Sequence, residues 1–385
     1  MYSDNDCGFL WYFIKFIGID VLEDTHELPI REKCSMFKRF GNKLLEFLYP
    51  MILHFMQIYA ILGLSVLLVH GMVNIKETLS FFLTNWLSLA LWHDIRRKKK
   101  LIGKYILSGN NLLLSVKESK YVNIVINLCL FLAVAIPIIL GIFYTFVIAE
   151  SSREYKIYYS IILTCESDTL SSVLVRNIMI LITFSSHFML PSMTAILLGS
   201  LYCKVSNLLT DFNGKLVKFK QIDFHYDDSL KLMNRYNLLF QLVHSAEQVL
   251  SSTSFLLLCS QWLNVYIVLV AFFKMKNESF SYALCWENIT RLILGPIIVA
   301  SVVACASRIS LQSHRIRMNM QLIHNFLMKD SDSNHKTIQL VQSMTNTEFP
   351  HLTAFKIAEL KPGLILTFFG SVLTYGLLVL NIKKE

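Results

Sequence analysis

The sequence predicts an all-α, polytopic membrane protein with seven transmembrane helices, a cytoplasmic N-terminus and an extracellular C-terminus. Three observations carry this reading. Of the 385 residues, 54% are hydrophobic and 16% are charged, against about 25% charged in a soluble globular chain. The apolar residues gather into seven long runs. The basic residues alternate in density between successive loops.

A helix needs about 20 mostly apolar residues to cross the hydrocarbon core. The runs lie at 49–72, 78–93, 122–149, 175–203, 249–273, 289–307 and 362–382. The first holds His54 and His70 among apolar residues. The second is short and contains Asn85. The third contains Pro137, which predicts a kink. The fourth carries Ser185, Ser186 and His187 together. Only the loops before the fifth and the seventh runs are long, so the chain reads as one membrane domain. The short apolar stretch in 1–19 is interrupted by Asp4, Asp6 and Lys15, and no small-residue cleavage site follows. The first span is therefore expected to serve as the insertion signal.

Charge sets the orientation, because cytoplasmic loops are rich in Lys and Arg. The N-terminal segment has six basic residues, the loop after span two has eight, that after span four six and that after span six seven. The alternate segments hold one, two, two and two, with Arg176 and Arg291 at span boundaries. Without span two, the run Arg96, Arg97, Lys98, Lys99, Lys100 would lie on the wrong side. The net charge of +9 comes from clusters beside apolar runs, which set orientation or meet anionic lipid. Membrane lipid is thus an expected partner, and nucleic acid is not.

The sequons at Asn277 and Asn288 fall in or beside the loop between spans five and six, on the expected outer face. Cys165 and Cys285 are the cysteines of the outer loops. They stand either as a disulfide pair or as two unrelated loop thiols. Cys129, Cys203, Cys259 and Cys305 lie inside apolar runs and are expected to be buried structural thiols.

The orientation argues against a G-protein-coupled receptor, whose N-terminus is extracellular. No Asp-Arg-Tyr follows the third span, and no Asn-Pro-x-x-Tyr occurs in the last. An odd number of spans without repeated halves argues against a transporter of matched inverted repeats. Enzyme chemistry is not expected: the spans hold almost no ionisable residue, and no hydrolase, metalloprotease or phosphate-loop motif occurs. No metal site or cofactor is expected either.

The last span carries a polar stripe. Thr367, Ser371, Thr374 and Asn381 follow spacings of four, three and seven, with Leu378 in the missing place. At 3.6 residues per turn they share one side of the helix. Two readings fit equally: a helix–helix contact joined by small polar groups beside Gly370, or a pore wall.

The end of the chain resembles the C-terminal signature of insect gustatory receptors, Thr-Tyr, five hydrophobic residues, then Gln-Phe. Thr374 and Tyr375 match. Gly376, Leu377, Leu378, Val379 and Leu380 fill the apolar positions. Asn381 stands for Gln and Ile382 for Phe. The chain length, the seven spans, the cytoplasmic N-terminus and the two long inner loops are similar to that family across the whole chain.

This resemblance implies a ligand-gated, non-selective cation channel of the plasma membrane of chemosensory neurons. It implies a homo- or hetero-tetramer around one pore that passes cations, with a tastant pocket in each subunit. The polar stripe would then face the pore, with Asn381 and Ile382 at the outer gate. The chain would divide into a cytoplasmic segment (1–48), six helices with the ligand-binding bundle (49–307), a cytoplasmic anchor (308–361) and the pore helix with a short tail (362–385). A seven-helix receptor acting through cytoplasmic partners, or an obligate co-subunit that does not conduct alone, remains the alternative. A non-sensory scaffold is a third.

In the long loop before span five, Leu232, Tyr236, Leu239, Phe240 and Val243 predict a packed helix extending that span inward. Leu322, Phe326 and Leu327 do the same below span six, and Asp330 to Asn334 read as a break. A tastant pocket needs aromatic walls and a few polar groups. In the outer half these are Phe82, Asn85, Trp86, Phe143, Tyr144, Phe184, His187, Gln261, Trp262 and Tyr266, each otherwise a packing residue. The scarcity of charge there favours a small neutral compound, such as a bitter one.

Overall fold

The structure, a computed structural model, describes residues 36–69, 75–113, 120–149, 170–219, 226–274, 282–329 and 335–382. The expectations at Cys165 and Asn277 fall outside these residues, as do the side chains of Cys285, Tyr375, Leu378, Asn381 and Ile382.

The described chain is almost wholly helical. In order it forms α1 (Met36–Val69), α2 (Ile75–Leu113), α3 (Lys120–Ala149), α4 (Leu170–Phe184), a π turn (Ser185–Met189), α5 (Leu190–Phe219), α6 (Tyr226–Lys274), α7 (Tyr282–Lys329), α8 (His335–Asn346), a two-stranded hairpin β1 (Thr353–Ala354) and β2 (Ala358–Glu359), and α9 (Pro362–Ile382). Among the described residues, four helices are long and apolar enough to cross a membrane: Ile124–Tyr144, Val173–Lys218, Tyr226–Leu269 and Asn288–Lys329. Two shorter apolar helices lie at Phe47–Gly63 and Pro362–Thr374.

Apolar residues occupy both faces of these helices, as a lipid-bathed bundle requires. On α1, Leu53, Met56 and Ala60 are buried, while Met51, Phe55, Ile58 and Leu62 are exposed. On α3, Ile124, Leu128, Phe131, Ile138 and Ile142 are exposed, so this helix lines the rim of the bundle. Cys129 shares that outer surface and is exposed, which corrects its expected burial.

Several helices outrun a bilayer. The α6 helix has 49 residues and α7 has 48. At 1.5 Å per residue each spans roughly 70 Å, more than twice the hydrocarbon thickness. The α2 helix has 39 residues, so the short apolar run 78–93 is only its outer part. Its continuation carries the basic cluster, and the Arg96 guanidinium lies 4.9 Å from the centre of the buried Trp92 ring.

The α5 and α7 helices pack along much of their length, α2 lies on α6, and α6 lies on α7. Gly295 permits the last approach: a Cβ there would meet Val265 Cγ2 at 3.0 Å.

Between α4 and α5 the chain widens by one residue. Pro191 has no N–H to offer the His187 carbonyl, so the regular ladder fails here. The Leu190 N–H instead reaches Ser185 O, five residues back. The result is a π turn, a form enriched at functional sites.

The same core continues to the far ends of these helices. There Tyr236 of α6 meets Phe212 of α5 at a ring-centre distance of 6.1 Å and Phe349 at 4.9 Å. Leu232, Leu239 and Val243 are buried beside them, as the helical spacing predicts. On α7 only Leu327 of the expected trio is buried. Leu322 and Phe326 are exposed, because they share an outward face with Leu311 and Met318. The break expected at 330–334 lies outside the described residues.

Candidate functional site

Two regions bear on function: a buried polar cluster in the outer half and the chain from α6 through the hairpin to α9.

The cluster is built on the π turn. That turn aims His187 inward, where it is 6% exposed. Asn85 of α2 and Arg291 of α7 converge on it, both buried. The His187 Nε2–H donates to Asn85 Oδ1 at 2.7 Å. The Arg291 Nη2–H donates to His187 Nδ1 at 3.0 Å. A guanidinium only donates, so Nδ1 must accept and the proton must sit on Nε2. The imidazole is thus neutral and in one tautomer. A buried charge of this kind persists only when its donors are satisfied. The three groups therefore tie α2, the π turn and α7 to one point.

Next to this point lies an aromatic cluster. Tyr144 of α3 and Phe184 of α4 lie 5.3 Å apart between ring centres, and Phe184 and Phe188 lie 5.2 Å apart. Met56, Tyr59, Met179 and Ile180 close the cluster. Aromatic walls beside a few convergent polar groups are the usual make-up of a small-molecule site.

The structure thus brings together Asn85, Tyr144, Phe184 and His187 of the sequence candidates and adds Arg291. The scarcity of charge expected here is corrected by that buried arginine. Other candidates lie elsewhere. Trp86, Phe143 and Tyr266 are 49%, 46% and 41% exposed, on the outer sides of their helices. Phe82 is half-buried against Trp86. Gln261 is buried where α6 meets Gly295 of α7. Trp262 packs on Phe368 of α9. Asn288 is corrected as a glycan acceptor: it lies within α7 and is 3% exposed.

The α9 helix meets the bundle through Phe368, with Leu364, Ile365 and Val372 beside it. Thr367 and Thr374 lie about a quarter turn away and are exposed, and Ser371 is half-buried between them. The two threonine hydroxyls donate back to Gly363 O at 3.0 Å and Gly370 O at 2.8 Å. With its donor satisfied, each hydroxyl oxygen still has acceptor capacity toward the surface.

The hairpin before α9 is held on α6. The Thr353 N–H donates to Glu247 Oε2 at 2.7 Å, and the Thr353 hydroxyl donates to Oε1. The Phe355 N–H donates to Ser251 Oγ at 2.8 Å. Phe355 and Lys356 both have positive φ, 54° and 59°, and the Ile357 N–H closes the turn on Ala354 O at 3.0 Å. This is a type I′ turn without the glycine or asparagine that normally fills it, a strained connection. Nothing in sequence spacing marked it. One residue further along α6, Asp94 of α2 accepts from Ser252 Oγ at 2.8 Å and from Thr253 Oγ1 at 2.6 Å. Lys98 adds a bond to Val249 O at 2.9 Å.

These features define a multi-pass helical membrane protein with a buried polar cluster among its outer helices. Solved structures of similar fold include an insect olfactory receptor. The insect olfactory receptor OR5 from Machilis hrabei superposes with a TM-score of 0.63 at 14% identity, covering 98% of this chain and 100% of that one. The same receptor in complex with eugenol gives a TM-score of 0.59 at 12% identity, with the same coverage. By sequence the chain matches no protein-family model and no curated protein.

Proposed function

We propose that this chain is a gustatory receptor: a subunit of a chemosensory, ligand-gated, non-selective cation channel in the plasma membrane of chemosensory neurons. It is a receptor and not an enzyme. Seven helices cross the bilayer, with the N-terminus inside and the C-terminus outside. They are α1, α2, α3, the α4–α5 pair, α6, α7 and α9. The observation that carries the reading is the fold shared with an insect olfactory receptor over 98% of the chain. The Thr374-Tyr375 signature turns that likeness toward taste.

Four subunits surround a pore lined by α9. The exposed Thr367 and Thr374 support this, since a polar stripe facing lipid would be costly. So does the apolar stripe Leu311, Met318, Leu322 and Phe326 on the inner half of α7, which a neighbouring subunit covers. The ligand is a small neutral compound, bitter or hydrophobic, held by the aromatic cluster and hydrogen-bonded near His187. The eugenol complex of the olfactory receptor supports a small organic ligand in this fold.

The test is whole-cell current from cells expressing this chain, with a tastant panel, for wild type, Asn381→Ala and Ile382→Ala. A cation current whose gating or selectivity changes in the variants supports the channel reading. Silence with surface expression verified moves the function to an obligate co-subunit or to cytoplasmic signalling partners.

A further inference from the structure

The α5 and α7 helices meet at two thiols. Cys203 Sγ and Cys305 Sγ lie 3.5 Å apart, and both side chains are half-buried. The approach is close because α5 is slim here. One turn earlier stands Gly199, where a Cβ would come within 3.7 Å of the same Cys305 sulfur. Arg308, one turn beyond Cys305, sits beside Cys203 and places a fixed positive charge there. Among the described residues, the other half-buried thiol is Cys259.

We infer that Cys203 and Cys305 form a reversible oxidation site, a disulfide that staples α5 to α7 when peroxide rises. A disulfide needs the sulfurs at about 2.05 Å, so they must close by roughly 1.5 Å. A side-chain rotation at two helices already in contact provides such a movement.

The chemistry balances with hydrogen peroxide as the oxidant. The Cys203 thiolate attacks one peroxide oxygen, the O–O bond breaks, and the departing hydroxide takes a proton to become water. Cys203 is then a sulfenic acid. The Cys305 thiolate attacks that sulfur, the S–O bond breaks, and a second water leaves. Two thiols are oxidised and one peroxide is reduced to two waters. The pair lies beside Lys204 and Arg308, at the inner ends of the expected spans. Facing a reducing cytosol, it rests as two thiols and closes only under oxidant.

The consequence is mechanical. Among the described residues, the α5 and α7 helices share the most extensive helix–helix packing. A bond across it prevents any sliding of one helix along the other.

The test uses the full chain in lipid nanodiscs, treated with hydrogen peroxide, then alkylated and digested without reduction. Mass spectrometry is expected to find a peptide linking Cys203 to Cys305, lighter by two hydrogens than the separate thiols and lost on adding dithiothreitol. The thermal unfolding midpoint is expected to rise with peroxide in wild type and in Cys259→Ser. It is expected not to move in Cys203→Ser. Oxidation of the exposed Cys129 while both thiols remain fully alkylated would overturn the proposal. So would sulfinic acid at both without a link, and a link that leaves the midpoint unchanged would overturn the staple. The wild-type digest decides the linkage alone, so a serine variant that fails to fold does not stop the test. None of these readouts depends on ligand or current.

Discussion

Trp262 on α6 meets Phe368 on α9 edge to face, with ring centres 5.2 Å apart and planes at 70°. Phe368 is 1% exposed, while Leu366, Phe369 and Leu373 of the same helix face outward. Among the described side chains of α9, Phe368 with Leu364, Ile365 and Val372 fastens the helix to the bundle. Such pairs contribute about 0.5–1.5 kcal/mol beyond their buried area. Phe368→Ala is expected to cost about 3–5 kcal/mol in total. Trp262→Leu, which keeps apolar bulk, is expected to shift the open–closed balance of a channel by roughly 2- to 10-fold. Dose–response curves for ligand-evoked current measure it; a curve identical to wild type would show that α9 moves independently of this contact.

Asn85→Ala removes the acceptor for the His187 Nε2–H. The expected loss is about 1–3 kcal/mol, the cost of leaving a buried donor without its bond. Asn85→Asp behaves differently, because it brings an anion into a cluster that already holds the Arg291 guanidinium. Thermal melting of the detergent-purified protein gives the first number. A double-mutant cycle with Arg291→Leu gives the coupling through the imidazole, expected to exceed about 0.5 kcal/mol.

Glu247→Gln weakens two bonds to Thr353 that are now made to a carboxylate. Bonds to charged groups contribute about 1.5–3 kcal/mol. The local result is release of the hairpin from α6, so limited proteolysis is expected to cut near 350–361 in the variant and not in wild type. Equal cutting rates would show that Ser251 alone holds the turn.

The type I′ turn offers a prediction of opposite sign. Lys356→Gly removes a side chain from a left-handed position that costs roughly 1–2 kcal/mol. Glycine also gives the unfolded chain more freedom, so the net gain is expected to be only some tenths of that. A small upward shift in unfolding midpoint is the measurement. If activity falls as stability rises, the strain serves the connection that leads from α8 into α9.

Much of the helical fold was legible in the sequence because lipid demands long apolar runs. The last helix was placed at 362–382, where the structure has it, because Pro362 opens it as a first helical residue should. The inner extension of α6 was legible from the spacing of Leu232, Tyr236, Leu239 and Val243. Hydropathy could not show that α2 continues past His93, since its inner part is polar on most faces. The exposed Leu322 and Phe326 misled for a related reason: helical spacing names a face but not what covers it.

The site was legible in its residue types more than in its geometry. His187 and Asn85 stood out as polar groups in apolar runs, and the two meet. Arg291 was set aside as a boundary residue, because charge near a span end ordinarily snorkels to the surface. Pro191 was the available signal for the turn that aims His187, and it marks a break in the ladder without saying which way the chain yields. Trp86 and Phe143 show the limit of depth alone, since a helix has a lipid side at every level.

The α7 helix runs without a break from Arg291 in the outer cluster to Lys329 at its inner end. That is about 57 Å of helix, with Pro296 five residues beyond Arg291. A helix so long works as a lever. A tilt of a few degrees about its middle, set by the hydrogen bonds at His187, would swing the far end by several ångströms. The inner apolar stripe sits on that far end. In the proposed receptor, the loss of one hydrogen bond at His187 would thus reach the far end of α7 as displacement, with no chemical messenger between.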